Sequence, residues 1–179
     1  TGFGRTGKMF AAEHFGVKPD IMTVAKGIAS GFPLSAIIAK SEVMSKWPPG
    51  SHGNTFTGNP VSCAAGIATV ELIKDKLLRN AVIRGKELKK GFIALAEKYK
   101  IIGDIRGLGL MIGVEIVKAD GSPDADMTKK IMAEALESGL ILISCGLNDN
   151  VLRIVPPLTV KKAEVQSALS ILGEVLARV

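Results

Sequence analysis

Three residues in this chain have a type and a setting that could do chemistry: Lys26, Thr55 and Arg153. Lys26 ends the apolar run Ile21-Met22-Thr23-Val24-Ala25 and precedes the small residues Gly27, Ala29, Ser30 and Gly31. An ammonium at the end of a buried strand, beside backbone that can crowd a ligand, is partly stripped of water. Its pKa falls and the amine can attack a carbonyl. The plainer reading is a lysine that snorkels to solvent. Thr55 stands in Gly53-Asn54-Thr55-Phe56-Thr57-Gly58-Asn59-Pro60, just before a helix start. Backbone N–H groups and the positive dipole end favour phosphate there, or Thr55, Thr57 and Asn59 simply cap the helix. Arg153 lies within Val151-Leu152-Arg153-Ile154-Val155 and by strand alternation shares a face with Val151 and Val155. A guanidinium on such a strand can hold a carboxylate in its two-pronged fork. On an edge strand it would only face water.

Other candidates carry less. Gly2-x-Gly4-x-x-Gly7 has dinucleotide spacing, and Gly2-x₄-Gly7-Lys8 is most of a P-loop. The first needs a preceding strand, and the second needs Ser or Thr where Met9 stands. The segment therefore reads as a flexible pocket-lining loop. His52 sits in a Pro/Gly loop and reads as solvated or capping; His14 has no constellation around it. Glu115 and Asp104 show no spaced acidic partner. Cys145 reads as a packed thiol, and Cys63 with Cys145 gives neither metal spacing nor a disulfide framework. A reducing, cytoplasmic setting fits.

The elements that must position these residues follow from pattern. Met9 to Phe15 reads as a short helix or turn, and Asp20–Ala25 and Leu34–Ile38 as strands. Asn59 as N-cap and Pro60 at the first helical position open a helix toward Leu72. A second helix runs from Ala81 to Tyr99, with apolar Val82, Leu88, Phe92 and Leu95. Ile101–Val117 holds one or two glycine-punctuated strands and Lys118–Asp126 a polar loop. A helix from Met127 to Ser138 follows, with Gly139 at its C′ position. Leu140–Ser144 and Val151–Val155 are strands, Pro156-Pro157 stops the second, and Thr159 caps a last helix. The layout changes near residues 75–80. Residues 1–78 look like part of a larger sheet, and residues 79–179 form a compact α+β unit.

Composition narrows the classes. Hydrophobic residues make up 47% of the chain, enough for a sizeable core, while aromatics are only 4%, too few for a base-stacking surface. The net charge of +6 is dispersed, and Glu87 and Glu97 interrupt the Lys86-Lys89-Lys90 group. No apolar run reaches the roughly 18 residues of a membrane span. Neither a nucleic-acid nor a membrane partner is expected. The chain starts inside a glycine-rich motif and reads as a fragment of a longer protein.

Four motifs, in order, carry a resemblance: Thr1-Gly2-Phe3-Gly4-Arg5-Thr6-Gly7-Lys8, Thr23-Val24-Ala25-Lys26-Gly27, Thr55-Phe56-x-Gly58-Asn59-Pro60 and Leu152-Arg153-Ile154-x-Pro156-Pro157-Leu158. The chain resembles the C-terminal part of the class III aminotransferases, which depend on pyridoxal phosphate, and looks closest to their 4-aminobutyrate branch. The resemblance implies an α/β fold of the type I pyridoxal-phosphate class. Residues 1–78 would be the end of the large cofactor-binding domain, and residues 79–179 the small C-terminal domain. Lys26 matches the lysine that forms a Schiff base with the cofactor. Thr55 matches the threonine that binds its phosphate from the neighbouring subunit of a homodimer, and Arg153 the arginine that holds a substrate carboxylate. The implied activity is ping-pong transfer of an amino group to a keto acid, 2-oxoglutarate. Acetylornithine or ornithine aminotransferase, racemase and aminomutase activities are the implied alternatives. The family's aspartate partner of the pyridine nitrogen lies upstream of Thr1, so the isolated polypeptide is expected to be inactive.

Overall fold

The computed structural model describes residues 1–179. Asn59 starts its longest element. The Asn59 Oδ1 accepts hydrogen bonds from the Val61 and Ser62 N–H groups at 3.0 and 3.1 Å, and Pro60 needs no such partner. Helix α2 (Pro60–Leu72) then passes through a π turn (Ile73–Leu77) directly into α3 (Leu78–Lys98). The two helices expected on either side of residues 75–80 are one continuous element. Lys74, Asp75 and Lys76, between the two, occupy a wider helical turn whose Leu78 N–H donates to the Ile73 carbonyl. The result is a single rod of about 58 Å at 1.5 Å per residue.

Before the rod lie β1 (Ile21–Val24) and β2 (Ala36–Ala39), an antiparallel pair in a two-stranded sheet, and a short helix α1 (Ser41–Met44). Phe3, Val24 and Ile73 form the small core here, with Phe10, Ile28 and Leu77 against it. Phe15, Phe56 and Ile67 stay exposed.

After the rod, β3 (Ile102–Leu108), β4 (Met111–Ile116), β5 (Ile143–Cys145) and β6 (Val151–Ile154) form an antiparallel sheet in the order β3-β4-β6-β5. Alternation along β4 buries Ile112, Val114 and Ile116 against a helical layer. That layer consists of α3, α4 (Ala125–Glu137) and α5 (Lys162–Leu176). Leu88 and Phe92 of α3, Ile131 and Ala135 of α4 and Val165, Leu172 and Val175 of α5 complete the main core.

The ends of α4 follow the local chemistry. Asp124 caps it by accepting from Met127 N–H at 2.9 Å. At the other end Gly139 N–H donates to Leu136 O and Leu140 N–H to Ala135 O, closing the last carbonyls. Two expectations need correction. The β5 strand begins at Ile143, so Leu140 to Leu142 lead into it as loop. The last helix is capped at Lys161, not Thr159, because Glu164 reaches back to accept from Lys161 N–H at 2.7 Å.

The glycine-rich loop at the start of the chain is docked on the second sheet. The Arg5 carbonyl accepts from Leu110 N–H at 2.8 Å. At Gly109, with φ +55°, a Cβ would stand 2.7 Å from the Arg5 carbonyl oxygen and 2.6 Å from the Thr6 carbonyl carbon. Only glycine permits that approach.

Candidate active site

Lys26 opens a 3₁₀ turn (Lys26–Ile28) one residue after β1. Its φ of 56° is left-handed, and so is that of Ser30, at 48°. A non-glycine residue in this region costs of the order of 1–2 kcal/mol, so neighbouring structure must hold it. Buried Ala29 and the packing of Gly27 beside the Phe3 backbone do so. Lys26 is exposed rather than sunk at the end of a buried strand, because β1 itself is covered only at Val24.

Arg153 sits on β6, an interior strand opposite Gly113 of β4 and Ile143 of β5. The edge-strand alternative is thereby excluded. Leu152 and Ile154 point into the core, and Arg153 points to the other face. Arg153 makes no ion pair within the chain.

Lys26 and Arg153 line one cavity of about 720 Å³. Its wall comes from the first loop, the turn after β1, the α2–α3 rod and the exit of β6. Ser30 and Thr69 add hydroxyls; Phe3, Ile73 and Leu158 add apolar surface. No aspartate or glutamate lines it.

A third cation was not anticipated from sequence. Arg5 lines the same cavity, half-buried, and its Nη1 donates to the carbonyls of Leu110 (3.4 Å) and Pro156. Burial, and then repulsion from Arg153, pull its pKa below the ordinary arginine value. The only local signal was a charged side chain between two glycines; its partners are remote in sequence.

The other sequence candidates fall elsewhere. Thr55 lies on an exposed turn outside the cavity, in which Thr57 Oγ1 accepts from Asn54 N–H at 3.1 Å. Asn59, not Thr55, occupies the first N–H groups of α2. His52 stacks on Trp47 at 5.4 Å, and His14 bonds Thr6 Oγ1 at 3.0 Å. Asp104 and Glu115 do meet, as cross-strand neighbours bridged by Arg106 at 2.8 and 2.6 Å, on an exposed sheet face. Cys63 and Cys145 are unpaired, and no cluster of His, Cys, Asp or Glu could hold a metal ion. No helix is long and apolar enough to cross a membrane.

An amine and two guanidiniums around one cavity, with no acid among them, suit a carbonyl compound that carries anionic groups. The comparisons with known proteins agree with this chemistry. The family model for class III aminotransferases matches residues 1–176. The 4-aminobutyrate aminotransferase GabT of Escherichia coli is 46% identical over 97% of this chain and 42% of its own length. The alanine/serine racemase of Pyrococcus horikoshii is 49% identical over 96% of this chain and 36% of its own. A solved phospholyase from Arthrobacter, in complex with phosphoethanolamine, superposes with a TM-score of 0.93 at 32% identity, covering all of this chain and 44% of that one. The chain thus spans about two fifths of the length of the curated relatives it matches. The fold is the α/β type I fold of pyridoxal-phosphate enzymes, and dependence on that cofactor belongs to the family.

The residues present fit one end of pyridoxal phosphate. Lys26, beside Gly27 and Ser30, would present an amine to its aldehyde in a cavity of sufficient size. Thr55 does not line this cavity. From Thr1 to Leu176 the match to the family is continuous, and the chain belongs to the class III aminotransferases.

Proposed function

We propose that the protein to which this chain belongs transfers an amino group from an amino acid or ω-amino acid, 4-aminobutyrate first, to 2-oxoglutarate. The observation that carries this is the single cavity lined by both Lys26 and Arg153. Pyridoxal phosphate, when bound, supplies a conjugated ring that holds the electron pair left when a C–H bond beside nitrogen breaks. Lys26 Nζ would hold the cofactor at its aldehyde. As a free amine, Nζ would take the proton from the substrate carbon beside nitrogen, a general acid–base role. Arg153 grips the substrate carboxylate and so fixes which hydrogen faces Nζ. Release of one product before the second substrate enters predicts ping-pong kinetics.

Thr55 is assigned to the cofactor phosphate of a neighbouring subunit in a homodimer. Its exposed turn, outside the cavity that Lys26 lines, supports that division of labour. Residues 1–78 are assigned to the cofactor-binding domain and residues 79–179 to the small domain, with separate hydrophobic clusters in support. The unpaired cysteines support a cytoplasmic setting.

In the full-length enzyme, Lys26→Ala should abolish turnover and remove the borohydride-trapped adduct from this position. Full transaminase turnover in that variant would refute the assignment. Similarity to a racemase favours a second reading, racemisation at the same lysine. A keto acid then becomes dispensable, so product formation with and without 2-oxoglutarate separates the two. Acetylornithine or ornithine as donor is the remaining alternative within the transaminase reading.

A further inference from the structure

Arg5 has a more specific role than lining a wall. Both acceptors of its Nη1, the carbonyls of Leu110 and Pro156, are neutral, so its charge is held in place without being cancelled. Its backbone is held as well, by the Leu110 N–H and by the contact with Gly109. Pro156 lies just beyond Arg153 on the chain leaving β6. Arg5 thus touches the segment that carries Arg153 and presents a second positive charge to it, and no acid of the cavity lies between. Burial, and then repulsion from Arg153, both lower the Arg5 pKa.

We propose that Arg5 is the positioning residue for Arg153: a clamped positive charge that turns the Arg153 fork outward and strengthens its hold on a substrate carboxylate. This rests on the reading of Arg153 as the carboxylate site. A carboxylate seated on Arg153 lies in the field of both cations and relieves the repulsion between them. In a half-buried site a neighbouring unit charge changes affinity by roughly five- to tenfold.

The test uses the full-length, cofactor-loaded enzyme with two readouts. Calorimetry measures the affinity for 2-oxoglutarate; steady-state kinetics measures KM and kcat for 2-oxoglutarate and for butanal, an acceptor without a carboxylate. Arg5→Gln should weaken 2-oxoglutarate binding about five- to tenfold. Its KM should rise in step, and this rise should exceed any change with butanal by at least about threefold. Arg5→Lys keeps the charge and should recover most of the loss. Equal losses for both acceptors, or an Arg5→Lys no better than Arg5→Gln, would overturn the proposal and leave Arg5 a structural clamp. If Arg5→Gln does not fold, Arg5→His replaces it: relative to wild type, 2-oxoglutarate should bind several-fold more tightly at pH 6 than at pH 8. An unchanged ratio would be the negative result. Arg153→Gln is the separate control. If it leaves 2-oxoglutarate affinity intact, the carboxylate site itself is misassigned and the Arg5 proposal falls with it. If only the Arg5 variants lack the effect, the proposal alone fails.

Discussion

Replacing Gly109 with alanine tests whether the first loop is truly locked to the second sheet. Two costs add at this position. The φ of +55° disfavours any Cβ by about 1–2 kcal/mol. The new Cβ would also stand 2.6–2.8 Å from three backbone atoms of Arg5 and Thr6, which cannot swing away as a side chain would. Forced overlap of this kind costs about 1–3 kcal/mol. Together they predict a loss of about 2–5 kcal/mol. Gly121 provides the internal control, with φ +82° but nothing within 4 Å of the same Cβ. Gly121→Ala should therefore lose only the first 1–2 kcal/mol or so. In thermal melts of the full-length protein followed by circular dichroism, the Gly109 variant should melt measurably below the Gly121 variant. Its affinity for 2-oxoglutarate should also drop, because Arg5 loses its seat. Equal shifts in Tm would refute the close packing of this loop, and with it the idea that the loop holds Arg5 still.

Two further predictions concern the small sheet unit. Asp124→Ala removes the cap of α4 and should cost about 1 kcal/mol in denaturant unfolding, whereas Asp124→Asn should cost far less. Hydrogen bonds from Arg106, then from Asn150, hold the Glu115 carboxyl below the usual carboxylate range. A depressed pKa contributes stability that is present above the unfolded value and is lost as pH falls through the folded one. Glu115→Gln should therefore lower stability slightly at neutral pH and make the acid limb of the stability profile shallower below about pH 4.3; the contact is solvent-screened, so the effect is small. An unaltered acid limb would show that the Arg106 bridge contributes nothing.

What could be read in the sequence was whatever short-range chemistry decides. Asn59-Pro60 announces a helix start, Gly139 a helix end, and Pro156-Pro157 the end of β6. Each depends on groups within a few residues. Lys26 and Arg153 could each be singled out by an ammonium or guanidinium in an apolar run, and both prove to line one cavity. Their juxtaposition could not be seen locally, because it depends on the first loop docking against the β3–β4 turn. Arg5 escaped notice for the same reason: its acceptors are Leu110 and Pro156. The cap of α5 was misplaced because Thr159 has the favoured side chain, while the bond that forms runs from Lys161 back to Glu164. The join between α2 and α3 was hidden by three charged residues that face water on a helix as readily as in a loop.

That join has a consequence for chain length. A π turn accommodates one residue more than the α-helical turns around it, and each residue rotates an α-helix by about 100°. An insertion between Leu78 and Leu88 would swing Leu88 and Phe92 out of phase with the rod before them. Losing one residue between Ile73 and Leu77 would instead let the rod close as plain α-helix with both flanking faces still in phase. The seam between the two cores is thus the place on this rod where length can drift by one while every buried side chain keeps its bearing.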